Sequence, residues 1–132
     1  MELKLTKNLE TGIALVDQQH RELIDAVNGL EGMREKVKDP AVMAETMDFL
    51  ATYCIMHFDT EEEIMRESNF PEIALHEKEH RLFVDKFVEY KDKFENEGFS
   101  DELFTDLSRF LKIWILKHIA ESDLDMGKHY VS

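Results

Sequence analysis

The sequence predicts an all-α protein, an up-down-up-down antiparallel four-helix bundle preceded by an N-terminal arm. Three observations carry that prediction. Four long segments place apolar residues at spacings of three and four, the repeat of a helix with one buried face. Short breaks containing capping and helix-ending residues separate these segments. Only two prolines and five glycines occur in 132 residues, too few punctuating residues for a turn-rich β-sandwich or barrel.

Residues 1–15 precede the first stripe and read as an arm packed across the first helix. That helix is expected from about Val16 to Val37, with Leu23, Ile24, Val27 and Leu30 on its apolar side. Asp39-Pro40 then supplies an N-cap and a proline at the first helical position, opening a second helix that runs to about Glu67. Its stripe contains Met43, Met47, Leu50, Cys54, Ile64 and Met65. Ser68-Asn69-Phe70-Pro71 breaks it. The third helix carries Ile73, Phe83, Val84, Phe87, Tyr90 and Phe94 and ends at Gly98. Ser100 with Asp101 and Glu102 opens the fourth, where acidic residues suit the positive end of the helix dipole. Its stripe is Leu103, Leu107, Phe110, Leu111, Trp114 and Ile115.

The length suits a single domain, 1–132, with one core. Sixteen basic against 29 acidic residues give a formal charge of −13. That balance opposes binding to nucleic acid or to an anionic membrane surface, both of which call for a Lys/Arg face. No apolar run approaches the length of a membrane span, and the first seven residues lack a signal-peptide core. Cys54 is the only cysteine, so no intrachain disulfide can form. A cytoplasmic location, as a monomer, is the expectation for such a chain.

Polar residues interrupt all four stripes. On the second helix His57 and Glu61 stand where apolar residues should continue; on the third, His76 and His80; on the fourth, His118 follows Leu107, Leu111 and Trp114. On the first, His20 is in line with Leu23, Ile24 and Val27. Buried polar groups cost a few kcal/mol each unless they find partners, so one shared partner is attractive. In an antiparallel bundle a single ligand layer must fall early, late, early and late along successive helices, and these residues do so.

His76-Glu77-Lys78-Glu79-His80 also matches the His-Glu-x-x-His pattern of zinc proteases, with Glu77 as general base. A zinc protease needs only three protein ligands and would leave most of His20, His57, Glu61 and His118 without a role. Five histidines with carboxylates exceed what one tetrahedral metal holds and point to two metals; imidazole with carboxylate suits iron. Glu61 is a natural bridge. Asp123 follows His118 by five residues, about 140° away on a regular helix. It joins the site most easily if the helix ends or widens by a π-bulge between them.

His20, His57-x-x-x-Glu61, His76-x-x-x-His80 and His118-x-x-x-x-Asp123 together resemble the hemerythrin family, most of all its single-domain bacterial form. Asp17-Gln18-Gln19-His20, His57-Phe58, Phe70-Pro71 and Trp114 before His118-Ile119 agree with it. The resemblance implies one iron held by His76, His80 and His118 and the other by His20 and His57. Glu61, Asp123 and an oxo or hydroxo oxygen would bridge the two iron ions, and dioxygen would bind at the iron with two histidines. Leu23, Phe58, Trp114, Ile115 and Ile119 match the family's apolar oxygen pocket.

Reversible dioxygen binding for storage, delivery or scavenging is the function this implies. The alternatives are a di-iron oxidase, peroxidase or nitric-oxide-handling enzyme, or a sensor acting through a separate partner. The family's usual arm tryptophan is replaced by Leu5. Cys54, one turn before His57, reads as a small buried filler, Glu62 and Glu63 as a solvated face, and His129 as a solvated tail residue.

Overall fold

The computed structural model describes residues 3–131. Helix α1 spans Ala14–Gly29, α2 Pro40–Glu67, α3 Ile73–Glu97 and α4 Asp101–His118. A π turn, Ile119–Asp123, continues α4 directly into α5, Leu124–Val131. Helix α1 packs against α2 and α4, and α3 against α2 and α4, closing the four-helix bundle. Among the described residues no helix is long and apolar enough to cross a membrane.

The expected start and stop signals operate as chemistry. Asp39 accepts the Ala41 N–H at 3.0 Å and Pro40 opens α2. Ser100 accepts the Leu103 N–H at 3.0 Å to open α4. Gly98 closes α3 at φ 78°, a left-handed value that costs glycine nothing, while its N–H returns to Phe94 O. Asn69 takes φ 55° in the break between α2 and α3, a conformation asparagine tolerates better than most residues.

One boundary differs from expectation. The first α-helix stops at Gly29 rather than Val37, and the chain proceeds through two 3₁₀ turns, Leu30–Met33 and Lys36–Lys38. Gly29 and Gly32 weaken helix continuation there. Leu30 and Val37 stay buried, so the apolar spacing reports the core contact even where the α-helix has ended.

The arm does cross α1. Leu3 is buried, its N–H donates to Asn28 Oδ1 at 2.8 Å, and Asn28 Nδ2 donates back to Leu3 O at 2.7 Å. Leu5 is half-buried against the main core. Asp17 ties the end of the arm to α1 by accepting from Thr11 N and Oγ1, at 2.7 and 2.8 Å.

Two apolar clusters result. The larger runs from Leu30, Val37 and Phe104 through Leu50, Phe87 and Leu107 to Phe58, Ile115 and Ile119. The smaller, at the other end, gathers Ile13, Val16, Met65, Phe70 and Met126. The buried polar layer belongs to neither of them.

Candidate metal centre

Every interrupting residue of the four stripes arrives in that layer. His20, Glu61 and Asp123 are fully buried, and His57, His76, His80 and His118 are no more than 5% exposed. Their ligand atoms form two groups sharing Glu61. Glu61, His76, His80 and His118 make one; His20, His57, Glu61 and Asp123 make the other, all within 4.8 Å of one another in each.

In the first group, His76 Nε2 and His80 Nε2 each lie 3.1 Å from His118 Nε2. Two nitrogens bound at right angles to one metal, each at about 2.1 Å, would stand about 3.0 Å apart. In the second, His20 Nε2 lies 2.8 Å from Asp123 Oδ2 and His57 Nε2 3.2 Å from Glu61 Oε2.

The carboxylates divide their oxygens between the groups. Glu61 Oε1 faces His80 at 3.1 Å and His76 at 3.4 Å, while Oε2 faces His57 and His20. Asp123 Oδ1 lies 3.0 Å from both His76 and His118, and Oδ2 faces His20. Each carboxylate thus presents one oxygen to each side, as a bridging ligand does.

Close approach does not satisfy these atoms. Both His20 ring nitrogens, Glu61 Oε2 and both Asp123 oxygens are buried without a hydrogen bond of acceptable geometry. Orphaned buried polar atoms of this kind are costly, and cations placed between them would satisfy all but His20 Nδ1. The donor set, imidazole with carboxylate, fits a pair of iron ions.

The electrostatics point the same way. Burial alone would push the His20 and His76 imidazoles down, but the Asp123 and Glu61 carboxylates outweigh it and carry both up to about 9. His118 is raised in the same manner, against burial, chiefly by Asp123. Burial would raise Glu61 and Asp123, yet the surrounding histidines hold both below the usual carboxylate range. The layer therefore holds anionic carboxylates against positive charge, supplied by protons until a metal replaces them.

The π turn solves the spacing of Asp123. Its five residues, Ile119–Asp123, begin directly after His118. Widening by one residue brings the carboxylate round to the face His118 occupies, as the five-residue gap required.

Other assignments divide. Leu23, Phe58, Ile115 and Ile119 are buried in the main core, whereas Trp114 is half-exposed at its edge. Phe58 stacks on His80 at 4.0 Å between ring centroids, and Trp114 stacks on His118 at 4.5 Å. Cys54 is buried, as a small filler would be, and burial pushes its thiol up to about 12, which disfavours the thiolate. Glu77, the base a zinc protease would need, is outside both ligand groups.

Two readings need correction. His129 is not a solvated tail residue: it is half-buried, its Nε2 is 2.7 Å from Ser68 O, and its ring meets Phe70. α5 carries it back onto the α2–α3 corner. Glu62 is not merely part of a solvated face, because its Oε2 accepts the His80 Nδ1–H at 2.9 Å. Glu63 is exposed as expected.

Three further polar partners escaped the sequence reading. Glu79 accepts from His118 Nδ1 at 3.0 Å, Ser122 Oγ donates to Glu79 at 2.5 Å, and Gln19 Oε1 accepts from His57 Nδ1 at 2.7 Å. Adjacency was the available signal, since Gln19 precedes His20, Glu79 precedes His80 and Ser122 precedes Asp123. Glu79 and Gln19 bond to the histidine of another helix and Ser122 to Glu79 itself, which no local spacing reveals.

Residues 11–130 match the hemerythrin HHE cation binding domain. The chain belongs to the hemerythrin family. Hemerythrins hold a di-iron centre, and the two ligand groups are the residues here that could hold such a pair. A bacteriohemerythrin of Stenotrophomonas maltophilia is 38% identical over 117 residues, 88% of this chain and 73% of that protein. One of Aquifex aeolicus is 32% identical over 123 residues, covering 93% of both. A crystal structure of wild-type hemerythrin superposes with a TM-score of 0.84 at 25% identity, covering 100% of this chain and 98% of that one. This hemerythrin bundle is thus the fold of solved relatives.

Proposed function

We propose that this chain binds dioxygen reversibly at a di-iron centre, in the service of storage, delivery or scavenging. His76, His80 and His118 hold one iron in this reading, His20 and His57 the other, and Glu61 and Asp123 bridge them. The observation that carries it is the division of carboxylate oxygens between a three-histidine and a two-histidine group in one buried layer. When bound, an iron pair would supply the two electrons that reversible dioxygen binding requires.

What the chain supplies is position and dryness. Unequal histidine counts leave the His20/His57 side with fewer protein ligands, so in this reading a small diatomic ligand would bind there. Leu23, Phe58, Ile115 and Ile119, all buried, keep water from that layer, and Trp114 covers the His118 ring at the surface edge. Excluding water opposes loss of a partly reduced oxygen species and favours return of dioxygen unchanged. The histidine-rich donor set also contrasts with the paired Glu-x-x-His pattern of ferritin-like di-iron proteins.

The test is an absorption spectrum of ferrous-reconstituted protein, recorded without oxygen, in oxygen, and again after oxygen removal. A visible band that appears in oxygen and vanishes on its removal is the expected result. Direct, permanent passage to a ferric spectrum would instead favour an oxidase, a peroxidase or a sensor.

A further inference from the structure

The two groups of ligands differ in what stands behind them. Behind the three-histidine group are carboxylates: Glu79 Oε2 accepts from His118 Nδ1 at 3.0 Å, and Glu62 Oε2 accepts from His80 Nδ1 at 2.9 Å. Behind the two-histidine group stands a neutral amide, Gln19 Oε1, 2.7 Å from His57 Nδ1. His20 Nδ1 is buried with no hydrogen-bond partner among the described residues. A carboxylate accepting Nδ1–H makes the imidazole more electron-rich at Nε2 and fixes the ring, while an amide fixes it without the charge.

Glu79 also has a second task. The same Oε2 accepts from Ser122 Oγ at 2.5 Å. His118 precedes the π turn and Ser122 lies within it, one residue before Asp123. A single oxygen from α3 therefore pins both sides of the widened turn on which Asp123 depends.

We propose that Glu79, with Glu62, is a positioning residue that makes the three-histidine half bind its metal more tightly than the two-histidine half. The inference rests on the reading above that these histidines are the iron ligands. Glu79 gives His118 its direction and basicity and holds Asp123's backbone in register. Glu62 does the first of these for His80, and among the described residues none does it for His20.

The experiment is an anaerobic Fe²⁺ titration of the metal-stripped full chain, with helicity followed by circular dichroism. The wild-type chain is expected to take two Fe²⁺ in two resolved steps. Glu79→Ala should weaken the tighter step by about 10- to 100-fold and the weaker one, reached only through Asp123, by clearly less. Glu79→Gln, which keeps an acceptor but loses the charge, should weaken it less, and Ser122→Ala less again. Gln19→Glu should tighten the weaker step.

Two equal steps in the wild-type chain would overturn the proposal. So would equal weakening of both steps in Glu79→Ala and Glu79→Gln, since general structural damage acts that way, or no change in either. If Glu79→Ala does not fold, Glu79→Gln and Gln19→Glu decide the matter alone. Failure of the wild-type chain to bind two Fe²⁺ would instead overturn the ligand reading itself.

Discussion

Helices α2 and α4 each deliver a histidine and a carboxylate to the same buried layer, by different means. On α2, His57 and Glu61 are four residues apart on a regular helix, about 40° from one another in projection, and ordinary geometry aligns them. On α4, His118 and Asp123 are five apart and share a face only because the helix widens into a π turn. Aspartate is also one methylene shorter than glutamate, so its backbone must stand nearer the layer to reach the same histidines. Side-chain length and helix pitch thus compensate for each other. The α2 solution uses a longer carboxylate on a regular frame; the α4 solution uses a shorter one on a distorted frame that needs outside support from Glu79.

Removing the shared ligand should have the largest effect. Glu61 faces histidines of both groups, so Glu61→Ala is expected to abolish binding of the metal pair rather than of one ion, because the site needs its full geometry. Metal analysis of the purified variant after iron loading checks this; two retained irons would refute the bridging role.

Making α4 imitate α2 tests the comparison itself. Deleting Ala120 reduces the five-residue spacing to four and should relax the π turn into regular helix. The aspartate is then too short, and we expect one iron to be lost. Combining the deletion with Asp123→Glu should restore the second iron, because the pair would then repeat the geometry of His57 and Glu61. No rescue would show that the π turn does more than adjust reach.

Both carboxylates also act on protons. In metal-stripped protein His20 and His76 hold theirs up to about 9, above the ordinary 6.5. Their stabilising contribution is fully present below pH 6.5 and is lost as pH rises through about 9. The melting temperature of stripped protein should therefore fall between pH 7 and pH 10, by about 5 °C or more. Iron-loaded protein should lack this decline, since metal rather than protons neutralises the layer. Thermal melts of both preparations across that range provide the measurement.

The course of the chain beyond the π turn offers a smaller test. Gly127 on α5 sits against the arm so closely that an added Cβ would lie 2.5 Å from Thr11 O and 2.8 Å from Thr11 Cβ. Gly127→Ala should cost about 1–3 kcal/mol by overpacking that contact, with iron content retained. Denaturant unfolding gives the stability, and metal analysis shows whether α5's docking is separable from the ligand layer. On α2, Cys54→Ala should matter least, about 1 kcal/mol with an unchanged spectrum, because the buried thiol only fills space beside His57.

The sequence by itself determined the bundle and its buried polar layer. Apolar residues at spacings of three and four must face a common core, and polar residues inserted in those stripes must enter it. His20, His57, His76, His80 and His118 were legible for that reason, and the five-residue gap before Asp123 called for either a helix end or a π turn, of which the structure has the second. These are local facts, set by the periodicity of one helix at a time.

Relations between helices were decided only in the tertiary structure. Glu79, Glu62 and Gln19 look like surface or ordinary polar residues along their own helices, and they become partners of His118, His80 and His57 only when the helices are packed. His129 appeared to be tail until α5 folded back on Ser68 and Phe70. The early end of α1 was hidden because Leu30 and Val37 keep their apolar spacing through 3₁₀ turns. Periodicity tells which face a residue occupies; hydrogen bonding depends on the rotation and height of the neighbouring helix, which no single helix encodes.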